Sequence, residues 1–470
     1  MARVLGIDIG TTSISALVLD TDRHQVVQKA TRPGQAFLDG GDPTCREQHC
    51  QVILDCLRRV LLDLQDQDPR ALEVDALSIT GQMHGGLLLD RNRNPVTPLI
   101  TWQDRRTLDR APSGSRWIDE YNSLAGPSAR QKTGMSPAPG FLGPTLFMLC
   151  QQNRIPADTR YLSLMDGWIA AVLAGRRNTD LAIDVSFAQS SGLYLPWEKK
   201  WNESLVHAMG LDVACLPRVS ETGSCVAETA ETDFPLRSGV PIFSGPGDNQ
   251  ASVLGSLRDL DTSLLLNVGT GGQVSVVTDT CTIQEGIDTR VFPGNRFMLV
   301  GASLSGGRAF TLLKEFVKGI GTDMFNCSLD DEILYEKLTR LAAEDTDLMC
   351  QTTFHGTRTD AGARGGITNL SDVNFTISDL SGAMLVGIIR ELFDLFRKLG
   401  KERTFLVGSG NGIRRNRMLR RKAELAFGRK LHLPAIEEEA CLGAALCAAV
   451  GLGVVPSFAD ASGTVRYVGE

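Results

Sequence analysis

Asp8 stands in an otherwise apolar run, Val4-Leu5-Gly6-Ile7-Asp8-Ile9, and Gly10-Thr11-Thr12-Ser13 follow it. An ionised carboxylate in such a run is costly unless a cation or several donors compensate it. Gly10 lets the backbone approach a ligand closely. Thr11, Thr12 and Ser13 add hydroxyls to the N–H groups of the turn. The turn suits phosphate oxygens, and Asp8 suits a magnesium ion or its water shell. The competing reading is a plain hairpin in which Asp8 caps nearby N–H groups. A second turn of the same kind, Val268-Gly269-Thr270-Gly271-Gly272, favours the first reading, because two facing turns can hold a nucleoside triphosphate. Neither turn is a P-loop, since G-x-x-x-x-G-K occurs near neither.

Asp248 lies in Gly245-Pro246-Gly247-Asp248-Asn249-Gln250. A carboxylate so placed can take the proton of a substrate hydroxyl as that oxygen attacks phosphorus. Asn249 and Gln250 can hydrogen-bond sugar hydroxyls. An isolated G-x-G-D more often means an aspartate capping the next helix. His84 sits between glycines in Gly81-Gln82-Met83-His84-Gly85, just after a strand-like run. Such a histidine suits a hydroxyl contact or a structural hydrogen bond. In Thr101-Trp102-Gln103-Asp104-Arg105-Arg106, Trp102 offers a face for sugar C–H groups and Asp104 can hold a pair of hydroxyls. A core tryptophan beside a solvated ion-pair cluster is equally compatible. A third glycine turn, Gly408-Ser409-Gly410-Asn411-Gly412, lies between a strand and a helix and suits close approach by a nucleotide. It lacks the spacing of the dinucleotide fingerprint. The following run, Arg414, Arg415, Arg417, Arg420, Arg421 and Lys422, reads as the solvated face of a helix with Leu419, Ala423 and Ala426 inward.

These residues need strands that end at one place. Residues 4–9 and 13–20 read as strands around the first turn. Residues 76–80 and 99–102 read as strands that run into polar segments, the pattern of a site at strand ends in an α/β sheet. Val52, Ile53, Cys56, Leu57, Val60, Leu61 and Leu64 have helical spacing, and Leu380 to Phe396 forms the clearest apolar stripe. At a constant offset of 259 residues, Gly10, Thr11, Val18, Asp20 and Thr21 meet Gly269, Thr270, Val277, Asp279 and Thr280. That match points to two related halves. The Gly/Pro-rich break at 244–252 places a domain boundary between 243 and 244. Residues 438–450 read as a helix of small residues able to pack closely.

A length of 470 residues allows two domains. A formal charge of −7 gives no reason to expect nucleic acid or an anionic membrane as partner. Eleven cysteines without C-x-x-C pairs fit free thiols in a reducing cytoplasm. The strand-like start leads us to expect no secretory leader, and residues 442–455 are too short and glycine-rich to span a bilayer.

Taken together, Asp8–Ser13, Asn267–Gly271, Gly247–Gln250, Gly408–Asn411 with Asn416, and Glu438–Ala445 resemble, in order, the motifs of the FGGY carbohydrate kinases. The resemblance implies an α/β protein of two actin-like, ribonuclease H-like domains: an N-terminal sugar-binding domain, 1–243, and an ATP-binding domain, 244–470. It implies Mg-ATP as phosphate donor, Asp248 as general base and Asp8 at the metal. The implied sugar contacts are Gln82, Met83, His84, Trp102, Asp104 and Asn249. Those implied for the nucleotide are Thr11, Thr12, Ser13, Gly269, Thr270, Gly306, Gly307, Gly408, Gly410, Asn411 and Asn416. The expected partners are a small sugar and ATP, with the chain a monomer or homodimer. Gly-Gln-Met-His-Gly is similar to the xylulokinase and sedoheptulokinase branches, whereas glycerol kinases carry Arg-Glu where Met83 and His84 stand. The run 101–106, "GDNQASVLGS" and "FHGTRTDAGARGGITNL" are more like sedoheptulokinases. Thr145 and Met148 replace the lysine and tryptophan of the general signature, so no role is carried over to a lysine there. A distant alternative is a noncatalytic actin-like protein that binds ATP as a switch.

Overall fold

The computed structural model describes residues 2–34, 36–38, 41–176, 180–357, 360 and 362–470. Residues 358, 359 and 361 of "FHGTRTDAGARGGITNL" therefore lie outside the described residues. Two six-stranded sheets organise the chain. The first contains β1 (Arg3–Ile9), β2 (Ser13–Asp20), β3 (Gln25–Pro33), β4 (Ala76–Gly81), β5 (Cys225–Glu228) and β6 (Pro241–Ser244) in the order β5-β6-β4-β1-β2-β3. The second contains β7 (Ser263–Val268), β8 (Gly272–Thr278), β9 (Ile287–Phe292), β10 (Arg296–Ser303), β11 (Phe405–Ser409) and β12 (Leu431–His432) in the order β9-β10-β8-β7-β11-β12.

Each sheet has the same kernel: three antiparallel strands, then two parallel ones beside the first. The turns also match at the 259-residue offset, since Ile9 and Ser13 bound the first and Val268 and Gly272 the second. The internal similarity read from five identities is thus a repeated strand–turn–strand hairpin. Periodicity placed the helices well: α1 is Cys50–Gln67, and the long apolar stripe becomes a helix over Ile377–Leu399. The expected strand at 99–102 is shorter, Leu99–Ile100, because Thr101 and Trp102 already turn toward the site.

Two helices lie between the sheets. One, here α3, spans Asp248–Ser256; the other, Glu439–Gly451, is the small-residue helix the sequence implies. Their apolar residues Val253, Leu254, Cys441 and Ala445 share one core with Val4 and Leu17 of the first sheet and Leu265 and Val407 of the second. Small residues make this possible. A Cβ on Gly443 would stand 2.0 Å from the Ala251 carbonyl oxygen, and one on Gly255 2.0 Å from that of Glu439. The arginine run is split between two helices, Asn411–Arg415 and Arg417–Phe427, because Asn416 caps the second; Leu419 and Ala423 are buried as expected. Ala426 is exposed, however, and Lys422 is buried, because its ammonium reaches back to the Glu344 carbonyl.

Candidate active site

β1 places Asp8 beside Thr80 of β4 and Ser15 of β2. Its Oδ1 is buried and has no hydrogen-bond partner among the described residues. Burial, with the nearby charge of Asp248, pushes its carboxyl up to about 7. A carboxylate oxygen left without a donor and close to a second carboxylate fits a cation. Among the described residues no group of three metal-ligating side chains exists. Magnesium is commonly held through one or two carboxylates, with waters and substrate phosphates completing its shell.

Asp248 opens α3, behind a loop held at three points. Thr80 Oγ1 donates to the Pro246 carbonyl at 2.6 Å, and the Gly247 N–H donates to Ser186 Oγ at 2.9 Å. Met83 packs where a side chain on Gly247 would lie, 2.3 Å from its sulfur. Ser186 Oγ in turn donates to Asp184 Oδ1 at 2.6 Å, while Thr222 and Ser244 donate to Asp184 Oδ2. Burial raises the Asp248 carboxyl to about 6, opposed by the Asn249 N–H and the Arg290 guanidinium. A base with a pKa near 6 is ionised at neutral pH and still able to hold a proton.

The residues expected to contact the sugar have different surroundings. His84 has φ +73, a strained value for a non-glycine residue. Its backbone N–H donates to Ser190 Oγ at 3.1 Å, and its ring stacks on Phe141 at 4.2 Å. Nδ1 lies 3.0 Å from the Ser190 carbonyl. A carbonyl can only accept, so Nδ1 carries a hydrogen. Trp102 keeps 41% of its surface exposed and donates its indole N–H to Thr11 Oγ1 at 2.9 Å. Gln82 is buried, its amide joining Thr11 to Gln48. The Asn249 amide donates to Gln273 Oε1 at 2.7 Å and accepts from Arg290 at 3.2 Å. It thus ties the head of α3 to β8 and β9.

Asp104 is a correction. It is fully buried, and its oxygens accept from the Arg46 N–H, the Arg106 N–H and the Arg106 Nε, all within 3.1 Å. It anchors Arg106, which also pairs with Glu47 at 2.8 Å, and presents no oxygen to a sugar.

The nucleotide residues divide likewise. Thr12 and Thr270 are exposed at the tips of the two turns, and Ser13 is half-buried. Gly306 and Gly307 begin α4 (Gly306–Phe325), whose N-terminus presses on the second turn. A Cβ on Gly306 would meet the Gly271 carbonyl carbon at 2.1 Å, and the Gly307 N–H donates to the Gly269 carbonyl at 2.9 Å. The third turn crosses the end of β7: Gly410, with φ +81, lies against the Val268 carbonyl and the Asn267 side chain. Gly408 is buried against Ile413 and Leu431, and Asn411 is exposed. Asn416 is a second correction. It is 1% exposed, and its Oδ1 caps the helix Arg417–Phe427 by accepting from the Leu419 N–H at 2.9 Å, so it faces no ligand. Beyond it, a groove of about 530 Å³ opens between Tyr335, Thr339 and Arg340 on one side and Arg415, Met418 and Arg421 on the other.

Arg290 and Gln48 were missed by the sequence reading. Arg290 lies in β9, 3% exposed, and Gln48 lies in a two-residue strand paired with Leu99. A charged residue inside Ile-Asp-Thr-Arg-Val-Phe is the same signal that singled out Asp8. Gln48 has no comparable signal.

One five-strand kernel used twice defines a two-domain α/β protein of the actin-like class. A family model for the N-terminal domain of the FGGY family of carbohydrate kinases matches residues 3–255, and the chain belongs to that family. It is a carbohydrate kinase, with a sugar and ATP as substrates. The chain is 28% identical to a xylulose kinase of Lactococcus lactis over 97% of its own length and 89% of that protein's. It is 26% identical to a sedoheptulokinase of Homo sapiens, covering 94% and 96%. Its fold matches that of a xylulose kinase from Rhodospirillum rubrum with a TM-score of 0.85 at 22% identity, over 100% of this chain and 93% of that one. Among the described residues no helix is long and apolar enough to cross a membrane.

Proposed function

We propose that the protein transfers the γ-phosphoryl group of Mg-ATP to a terminal hydroxyl of a ketose, with sedoheptulose as substrate and sedoheptulose 7-phosphate as product. The carrying observation is the pair Asp8 and Asp248: a buried Asp8 oxygen without a hydrogen-bond partner, and Asp248 at the head of a pinned helix, near enough for its charge to raise the Asp8 carboxyl. The sugar lies against the first domain, residues 1–243, on Trp102 and beside His84. Asp248 accepts the proton of the attacking hydroxyl as the new O–P bond forms and the bond to the β-phosphate oxygen breaks. The electron pair of that bond leaves with ADP.

ATP lies along the second domain, residues 244–470, its phosphates between the Thr12 and Thr270 turns. The groove beside Tyr335 and Arg415, whose guanidinium lies over the Tyr335 ring, has the size to take the base. Magnesium, held through the orphan Asp8 oxygen, supplies neutralisation of phosphate charge when bound. Closure of the domains excludes water that would otherwise take the phosphoryl group. Sedoheptulose is favoured by the runs 101–106 and 247–256; relatives named for D-xylulose keep that ketose as the second reading. Eleven free cysteines support a reducing, cytoplasmic setting.

The test is coupled ADP release over sedoheptulose, D-xylulose, D-ribulose and glycerol. Highest kcat/KM on sedoheptulose supports the reading. Highest on D-xylulose moves the substrate, and sugar-independent ATP loss alone removes the kinase reading.

A further inference from the structure

Three side chains and one backbone carbonyl close a ring beneath the first turn. Thr11 Oγ1 donates to Gln82 Oε1 at 3.2 Å, Gln82 Nε2 donates to Gln48 Oε1 at 2.7 Å, and Gln48 Nε2 donates to the Thr11 carbonyl at 2.9 Å. Trp102 Nε1 joins from outside, 2.9 Å from Thr11 Oγ1.

The chemistry of the ends fixes every direction. The Thr11 carbonyl can only accept, so the Gln48 amide must turn its NH2 toward it. Gln48 then offers Oε1 to the Gln82 NH2, and Gln82 offers its own Oε1 to Thr11. From the other side, the indole N–H can only donate, so the Thr11 oxygen must accept from it, and its one proton goes to Gln82. Both ends give the same answer without choosing an amide orientation. Gln48 and Gln82 are 1% and 4% exposed, so water cannot replace a lost partner.

We infer that Gln48 is a positioning residue for the sugar site: through the closed ring it fixes the Thr11 hydroxyl as an acceptor for Trp102, and so couples the first phosphate turn to the sugar platform. This rests on the reading of Trp102 as that platform. Gln48 touches neither substrate. The Thr11 hydroxyl has no proton left for phosphate, so that turn grips phosphate through its N–H groups, Thr12 and Ser13. A ketose that settles on Trp102 therefore also steadies the turn that holds ATP.

Two readouts test this. Ketose and ATP KM are measured separately for Gln48→Leu, Thr11→Val, the double variant and Thr11→Ser. Acrylamide quenching of tryptophan emission is measured for the wild type and for Gln48→Leu, with Trp102→Phe versions of each subtracted. The expected result is a ketose KM raised about tenfold in Gln48→Leu, with kcat changed less than about threefold. The double variant is no worse than the worse single, because one ring is broken in either case. Thr11→Ser, which keeps the hydroxyl, raises the ketose KM less than Thr11→Val does. Trp102 becomes more open to quencher in Gln48→Leu although Gln48 reaches it only through the hydrogen bonds of Thr11 and Gln82. Should Gln48→Leu fail to fold, Thr11→Val against Thr11→Ser tests the same link.

An unchanged ketose KM with unchanged quenching overturns the inference, as does full additivity of the two substitutions. If no ketose is turned over by the wild type but quenching still changes, the positioning role stands and the substrate reading falls.

Discussion

Removing the Arg290 cation should move the acid limb of the pH–rate profile upward. Arg290 hydrogen-bonds Asn249, the residue after the proposed base Asp248, and pairs with Asp288 at 3.0 Å. One charged group acts on Asp248: Arg290 opposes the upward push that burial exerts. An opposite charge a few ångströms away shifts a carboxyl by roughly 1–3 units. The smallest such shift moves Asp248 from about 6 to about 7. At about pH 6 the ionised fraction then falls from roughly one half to one tenth, a loss of about fivefold in kcat/KM, while about pH 8.5 shows almost none. Removing only one partner of a buried pair is destabilising in itself. The variant is therefore Arg290→Met combined with Asp288→Asn, compared with Asp288→Asn alone. The assay is ketose kcat/KM at saturating Mg-ATP from about pH 5.5 to 8.5. A limb that stays in place, or an equal loss at every pH, refutes the electrostatic role given to Arg290.

The free protein should lose stability as pH rises through the window between 3.8 and about 7, because folded Asp8 holds its proton to about 7 and the unfolded chain releases it at 3.8. Asp8→Asn should remove this share, on the order of a few kcal/mol, and be more stable than the wild type at about pH 8 without divalent cation; urea midpoints at about pH 5 and 8 check it. Gly443→Ala puts a methyl 2.0 Å from the Ala251 carbonyl oxygen and should cost about 1–3 kcal/mol, read as a lower thermal midpoint. An unchanged midpoint would mean that the two central helices can part freely.

The parts of the fold written locally were legible. Alternation and turn residues gave β1 and β2, helical spacing gave α1, and small residues gave the helix between the sheets. The offset between the two turns disclosed the repeat, because each half needs the same backbone bend at the same distance from its strands. Side-chain roles were less legible. Asp104 and Asn416 have the right residue types for ligand contacts, but Arg106 takes one and a helix N-terminus takes the other. Such competition is decided by residues that only folding brings near. Arg290 went unnoticed because its partner Asn249 lies 41 positions away. Gln48 works through Thr11 and Gln82, two chain segments that no spacing rule connects to it.

Asp248→Asn tests the central claim most directly, with ketose binding followed by calorimetry and turnover by coupled ADP release. The amide keeps the shape of the loop that Thr80 and Ser186 hold, so ketose affinity should stay within about threefold while turnover falls by about 10²–10⁴. Turnover within a few-fold of the wild type would contradict the assignment of Asp248 as the base, and with it the account of how this site transfers phosphate.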